Sequence, residues 1–350
     1  MTSEEGATGA RENTDRLLDL ALLQGNRFIK ELLRAKHLPI GTNKEQFEAH
    51  LREAISSGQL TKEDIRAWLA EVEGWGDQHV YLYAVPRSQR GTFRDRATLV
   101  AALKAGGYAK ILDAELPGRP EEELTLATVR HSADGISFIW VRGSPTLLRL
   151  SKLDYEEVID GEDIYFHAYE RRWTRLAARF EWKFDSDLAG VFLKRSSAEH
   201  DYSAQRDLVL ETVDDVLTQR PRWRALNIPR AIMRLDENGL AHGKQGGTVS
   251  VRMASTVFQG QSGNVRLAAT SETASYQDDA GIRQVRRAVD PKLLVGGSSD
   301  CYLTSAANGT QARELHIRLY GREQRVLLWG KMSAQEVWSA SEALDSQAQP

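Results

Sequence analysis

Between Gly74 and Asp77 the spacing of apolar residues changes from a helical period to a strand period, and strands then dominate the chain. Upstream, Ile29, Leu32 and Leu33 fall at i, i+3, i+4; Phe47, Leu51 and Ile55 at i, i+4, i+8; Ile65, Trp68, Leu69 and Val72 at i, i+3, i+4, i+7. Three such stripes predict a small helical bundle over 14–76. Thr42 and Glu45 have the Ser/Thr-x-x-Glu form in which hydroxyl and carboxylate satisfy each other's free backbone amides, so a helix is expected to start there; Thr61 with Asp64 starts the next. Downstream, runs at 79–85, 124–129, 136–141, 164–169, 179–184, 188–194, 249–258, 265–269, 315–320 and 325–329 read as strands. Helices are expected over 94–104 and 208–217, and Ser333 with Glu336 opens a last one. Asp134-Gly135 is expected to supply the positive φ values of a tight hairpin turn. Strand follows strand without β-α-β alternation, so the fold class is α+β, a small helical bundle followed by strand-rich mixed domains. A length of 350 residues exceeds what one core usually organises. The expected division is a disordered tail at 1–13, the bundle at 14–76, an α+β domain at 77–240 and a β-rich domain with a C-terminal helix at 241–345.

No run of 18 apolar residues occurs, so no membrane-spanning helix and no membrane partner are expected. The start, Met1-Thr2-Ser3-Glu4-Glu5, lacks the basic and apolar parts of a secretory signal, and the one cysteine, Cys301, leaves nothing for an internal disulfide; a cytoplasmic location is expected. Lys and Arg number 46 against 49 Asp and Glu, a net charge of −3, which argues against a uniformly basic surface but leaves room for a basic face. The charge is segregated. Over 86–110, Arg87, Arg90, Arg94, Arg96, Lys104 and Lys110 stand against Asp95 alone, and over 219–235 Arg220, Arg222, Arg224, Arg230 and Arg234 have no acid among them. Acid is gathered at Asp154, Glu156, Glu157, Asp160, Glu162 and Asp163, and again at Glu121, Glu122 and Glu123. An Arg run holding an aromatic can pair guanidinium groups with phosphates while the indole stacks on a base. Arg87, Arg90, Arg94, Arg96, Arg220, Arg222, Trp223 and Arg224 are therefore a candidate secondary nucleic-acid patch; alternatively they pair with the acidic clusters across a domain interface.

The segment 29–51 has an apolar frame at Ile29, Leu33, Leu38, Pro39, Phe47 and Leu51, with Gly41 inside it and Lys44 six residues after Leu38. It resembles the SAP family, helix-loop-helix modules that bind double-stranded DNA, whose pattern runs roughly apolar, Leu four later, then Gly-Leu-Pro-x-x-Gly-x-Lys-x-x-Leu-x-x-x-Leu. His37 stands where that family has its first Gly, and Gly41 comes one place early, before Thr42. Apart from the likeness, a Pro- and Gly-containing loop ahead of a capped helix leaves amides and the positive helix end outward, an anion site. The candidate DNA-binding residues are Lys36, Gly41, Thr42, Asn43, Lys44 and Arg52, with Arg34 as a further flank. Such contacts neutralise phosphates without reading bases, so the expected binding is sequence-tolerant, salt-dependent and about micromolar or weaker. The alternative is a bundle that only docks onto another domain or a protein partner.

Gly243-Lys244-Gln245-Gly246-Gly247 lacks the Gly-x-x-x-x-Gly-Lys-Ser/Thr order of a phosphate loop and reads as a turn. The eight histidines have no metal-binding spacing, so no metal and no cofactor are expected. Cys301 has no identifiable base beside it and reads as a buried inert thiol. Glu181-Trp182-Lys183 in a strand, with Asp160 and Asp163 upstream, resembles nucleases of the PD-(D/E)xK type, which implies carboxylates holding Mg²⁺ and a Lys near the attacking water. An alternating exposed strand face explains the same residues. A helical module ahead of a mixed domain with hairpins also resembles the plan of kinetochore proteins of the CENP-N type, with no residue carried over. The expected function is non-enzymatic binding of duplex DNA through the SAP-like module, with a larger body for a protein partner or further nucleic acid; a Mg-dependent nuclease and a protein-only adaptor are the alternatives.

Overall fold

The computed structural model describes residues 14–15, 17–22, 24–75, 77–85, 91–117, 121–149, 153–186, 188–195, 201–217, 223–241, 249–261, 263–271, 273–288, 293–305, 313–330 and 332–349. The expected tail at 1–13, the turn at 243–247 and Arg87, Arg90, Arg220 and Arg222 lie outside the described residues.

Helical residues at 17–22 precede α1 (Asn26–Ala35), α2 (Lys44–Ser56) and α3 (Lys62–Glu73). The stripes converge: Leu18, Ile29, Leu33, Phe47, Leu51, Leu60, Ile65 and Leu69 form one buried cluster. Thr61 and Asp64 make the full reciprocal cap of α3. The start of α2 differs from expectation by one residue. Asn43 is the cap, its side chain accepting the Gln46 N–H, while the Gln46 carboxamide oxygen accepts both the N–H and the hydroxyl of Thr42. Asn caps at least as well as Thr, and this register puts an amide side chain at the third helical position.

The body begins with β1 (Gln78–Ala84) and α4 (Arg96–Ala105), followed by β2 (Thr125–His131), β3 (Gly135–Arg149), β4 (Tyr155–Ile159), β5 (Glu162–Phe166), β6 (Tyr169–Lys183) and β7 (Leu188–Lys194). After α5 (Tyr202–Leu217) come β8 (Arg224–Ala225), α6 (Ile228–Ala241), β9 (Val249–Gln259), β10 (Asn264–Ala268) and α7 (Ala280–Ala288). Three strands, β11 (Val295–Ser305), β12 (Arg313–Tyr320) and β13 (Arg325–Leu328), lead to α8 (Ala334–Ala348). The fold is mixed α+β. Among the described residues eleven strands form one sheet in the order β10-β9-β11-β12-β13-β1-β7-β6-β3-β2, with β8 also on β1, and every pairing between these strands is antiparallel. The sheet runs across the boundary expected at 240, because β1 pairs with β7 on one side and with β13 on the other.

Both faces of the central strands are covered, which is why they read as continuous apolar runs. Val80, Leu82, Leu188 and Phe192 enter a core with α6 and α8; Tyr81, Tyr83, Val191 and Leu193 enter the opposite core with α4 and α5. Within the first core, Asp236 is fully buried and satisfied by Arg286 Nε at 2.5 Å and by the Tyr276 hydroxyl at 2.6 Å. Cys301 is buried there too, and burial pushes its thiol up to about 12.

The β2–β3 hairpin forms, but neither Asp134 nor Gly135 has a positive φ: the Ser132 hydroxyl instead accepts the N–H groups of Asp134 and Gly135 and shapes a longer loop. The Asp-Gly pair that does adopt positive φ is Asp160 (54°) and Gly161 (83°), which closes the separate β4–β5 hairpin. That hairpin tops an arm. β3 and β6 pair over their full 15 residues, whereas β2 covers β3 only as far as Val141 and β7 meets β6 only at Ala178–Trp182. Residues 142–149 and 169–177 therefore continue as a two-stranded ribbon.

Candidate nucleic-acid interface

The loop between α1 and α2 is built from its apolar frame. Ile29, Leu33, Leu38, Phe47 and Leu51 are all buried, while Pro39, Ile40, Thr42, Asn43 and Lys44 are exposed. α1 ends in a Schellman motif: the His37 N–H reaches the Arg34 carbonyl at 3.0 Å and the Leu38 N–H reaches the Leu33 carbonyl at 2.8 Å. His37 sits in the left-handed region with φ 55°, where glycine is favoured. Gly41 is a glycine for a different reason. A Cβ there would lie 2.8 Å from Gln46 Cβ and 3.1 Å from the Phe47 ring, so only a hydrogen lets the loop close onto the first turn of α2.

The electrostatics divide the six candidate residues. Lys44 is exposed and has no ion-pair or hydrogen-bond partner among the described residues, and the Lys44 and Glu45 amides at the start of α2 likewise have no acceptor there. Lys36 is instead held by Asp64 at 2.6 Å, an attraction that, with the Thr61 amide, keeps the Asp64 carboxyl well below the usual range. Arg52 is shared between Asp15 at 2.5 Å and Glu48 at 2.9 Å. Thr42 and Asn43 are both engaged with Gln46. Among the described residues Lys44 alone of the three cations in this set is uncommitted; Arg34, the further flank, is also exposed and without an ion pair there.

The described part of the secondary patch does not assemble as a phosphate-and-base platform. Arg94 donates to the Phe184 carbonyl at 2.6 Å and meets Asp185 at 3.3 Å, and Arg96 pairs with Asp113 at 2.5 Å. Trp223 donates its indole N–H to Asp214 at 2.9 Å and packs edge-on against Phe180 and Trp182, so its ring is half-buried packing and not a stacking surface. Arg224 is exposed in β8. These arginines do not meet the 154–163 acids, which lie on the arm.

The nuclease constellation is not present. Glu181 is half-buried beside Arg179 at 3.5 Å, and desolvation raises its carboxyl pKa despite that neighbour; Lys183 faces Glu342 at 3.5 Å and lies 4.7 Å over the Trp338 ring. Asp160 and Asp163 belong to the arm's hairpin, separated from Glu181 by roughly 40 Å of strand at about 3.3 Å per residue along β6. Among the described residues no group of three or more His, Cys, Asp or Glu is arranged to hold a metal ion, and no helix is long and apolar enough to cross a membrane.

Sequence reasoning did not anticipate how the helices attach to the body. Glu73, at the end of α3, receives Arg175 of β6 through Nε at 2.9 Å and Nη2 at 2.7 Å, both side chains being buried. Arg179 stacks 4.4 Å over Trp75, and Arg27 reaches Glu336 of α8 at 3.0 Å. The signal was the row of arginines spaced by four at Arg171, Arg175 and Arg179, which marks one face of β6. The attachment uses the end of α3 and Arg27 of α1, and leaves Pro39, Ile40, Thr42, Asn43 and Lys44 exposed. No protein-family model matches this chain, and no curated protein matches it either.

Proposed function

We propose that this chain is a non-enzymatic protein that holds duplex DNA by its sugar-phosphate backbone through the SAP-like loop at 37–46. The observation that carries the reading is the exposed, uncommitted Lys44 beside the acceptor-less amides of Lys44 and Glu45, on a loop braced by Gly41 against Phe47. Positive charge and free N–H groups at one helix start are what a phosphate oxygen needs. Lys36 and Arg52 contribute long-range charge but not direct contacts while their carboxylate partners hold them. A cytoplasmic setting is part of the same proposal.

In a gel-shift at about 50 mM salt the full chain is expected to retard duplexes of unrelated sequence, and to lose them steeply as salt rises. Lys44→Glu is expected to weaken retention by roughly tenfold for every sequence alike and to flatten the salt slope. Unchanged retention removes Lys44 from the account. The second reading, a protein-only adaptor, draws on the internal neutralisation of Lys36 and Arg52, and it requires that no duplex be retained at any salt concentration.

A further inference from the structure

The β4–β5 hairpin is a separate two-stranded sheet, so one edge of each strand has no partner strand among the described residues. Its register puts Tyr155, Glu157 and Ile159 opposite Phe166, Ile164 and Glu162 on one face, and Glu156 and Val158 opposite Tyr165 and Asp163 on the other. Every pair from Glu156 to Ile159 thus joins one carboxylate to one apolar group, and both faces carry both kinds. The apolar members are open: Val158 and Tyr165 are 65% and 66% exposed, and Tyr155, its ring centroid 4.7 Å from that of Phe166, is 57% exposed. Segment 153–168 holds six acids and no Lys or Arg. Asp154 is engaged by His167 at 3.4 Å and by the Ala168 N–H at 2.9 Å, whereas Glu156, Glu157, Asp160, Glu162 and Asp163 are exposed and have no side-chain partner among the described residues.

Glu157 and Glu162 are diagonal neighbours on one face and Glu156 and Asp163 on the other, so each face holds a like-charge pair with no cation paired to it among the described residues. A two-stranded hairpin of five pairs is marginal in water, and apolar groups gathered on an open surface mark an interface. The carboxylates repel nucleic acid, an anionic lipid surface and the same hairpin of a second copy. We propose that the hairpin docks an extended Lys/Arg-rich segment of another protein, which adds to an open edge as a third strand. Strand addition supplies backbone hydrogen bonds, and the two-residue period of an extended segment matches the alternation across both faces. A guanidinium or ammonium group beside each diagonal pair relieves its repulsion, while the aliphatic stem lies along the apolar groups of the same face.

The test is fluorescence anisotropy of a labelled peptide of alternating Arg and Val residues, titrated with the full chain at about 50 mM salt. Binding that weakens as salt rises is expected, with slower amide exchange at 155–159 or 162–166 in the bound state. Glu157→Arg with Glu162→Arg, and Glu156→Arg with Asp163→Arg, are each expected to weaken binding about tenfold or more. Val158→Thr with Tyr165→Thr, which keeps strand-forming residues and every charge, is expected to weaken it about threefold. The same peptide with proline in place of each valine keeps its charge but cannot pair along a strand edge, and is expected to bind the parent chain about tenfold more weakly. A parent chain that does not bind the alternating peptide overturns the proposal. So does binding indifferent to the reversals in variants that keep the parental melting curve, or equal binding of the proline peptide. A dimer of the parent chain in sedimentation equilibrium that the reversals abolish also overturns it, by making a second copy the occupant. DNA retention is read separately, so loss of one result leaves the other standing.

Discussion

His37 closes α1 with a backbone conformation that costs an L-residue about 1 kcal/mol or more, and its side chain is exposed. His37→Gly is expected to raise unfolding stability by roughly 0.5–1 kcal/mol, the strain relief exceeding the added entropy of the unfolded chain. The urea midpoint should move upward; a lower midpoint would mean that the imidazole makes a contact worth more than the strain. His79 presents the opposite case, a histidine placed where charge is unwelcome. It is buried, its ring centroid lies 3.8 Å from that of Tyr202, and its Nδ1 faces Arg325 at 3.1 Å, accepting the guanidinium N–H when neutral. Burial first, then Arg325 and Arg195, lower its pKa to about 4. The unfolded chain therefore binds the proton more readily than the folded one below about pH 6.5. Stability is full above that value and falls as pH drops toward 4, by roughly 3 kcal/mol from this group. Urea melts at pH 7.5 and 4.5 check this: His79→Gln should lose less stability between the two than the parent chain does, and an equal loss would exonerate His79.

Elements whose local signals agreed with their tertiary setting were legible from sequence. The continuous apolar run at 188–194 is β7 residue for residue, and the caps at Thr61 and Ser333 start α3 and α8 where expected. Elements dominated by tertiary packing were not. α6 carries Ile228, Ala231, Ile232 and Leu235 in helical spacing, but the half-buried Arg230 and Arg234 between them give the segment the composition of a charged surface. β11 opens with Gly296 and Gly297, poor strand formers, yet a Cβ on Gly296 would meet Ile232 Cβ at 2.7 Å: the glycine lets α6 settle on the sheet. The loop's apolar frame was likewise readable, while the commitment of Lys36 to Asp64 was not, because it depends on α3 lying alongside. Close approach also governs the junction of α3 with the sheet. Gly74 has an ordinary helical φ of −76°, but a Cβ there would overlap the Arg179 guanidinium stacked on Trp75. Gly74→Ala is expected to weaken the attachment by about 2 kcal/mol, read as faster amide exchange at 73–75 with the exchange of β1 and β7 unchanged. No change in exchange would show that Arg179 swings aside freely.

At the scale of the molecule, β1 is the seam on which both halves of the sheet meet. Cutting the chain at 240 separates β13 from β1 and strips α8 from the core it shares with Val80 and Phe192. Fragments 1–240 and 241–350 are therefore each expected to lack a cooperative thermal transition, while a mixture refolded together recovers one; a sharp melt from either piece alone would contradict a shared sheet. The same seam sets a timetable. Gln78 pairs with Leu328, about 250 positions further along, and β8 protects only Tyr83 and Ala84 of that edge in the meantime. A ribosome adding roughly 5–20 residues per second takes about 10–50 s to cover that span. For that interval the nascent polypeptide displays an unsatisfied row of amides and carbonyls, so its yield in a cell should depend on elongation speed and on holdase chaperones more than its finished contacts suggest.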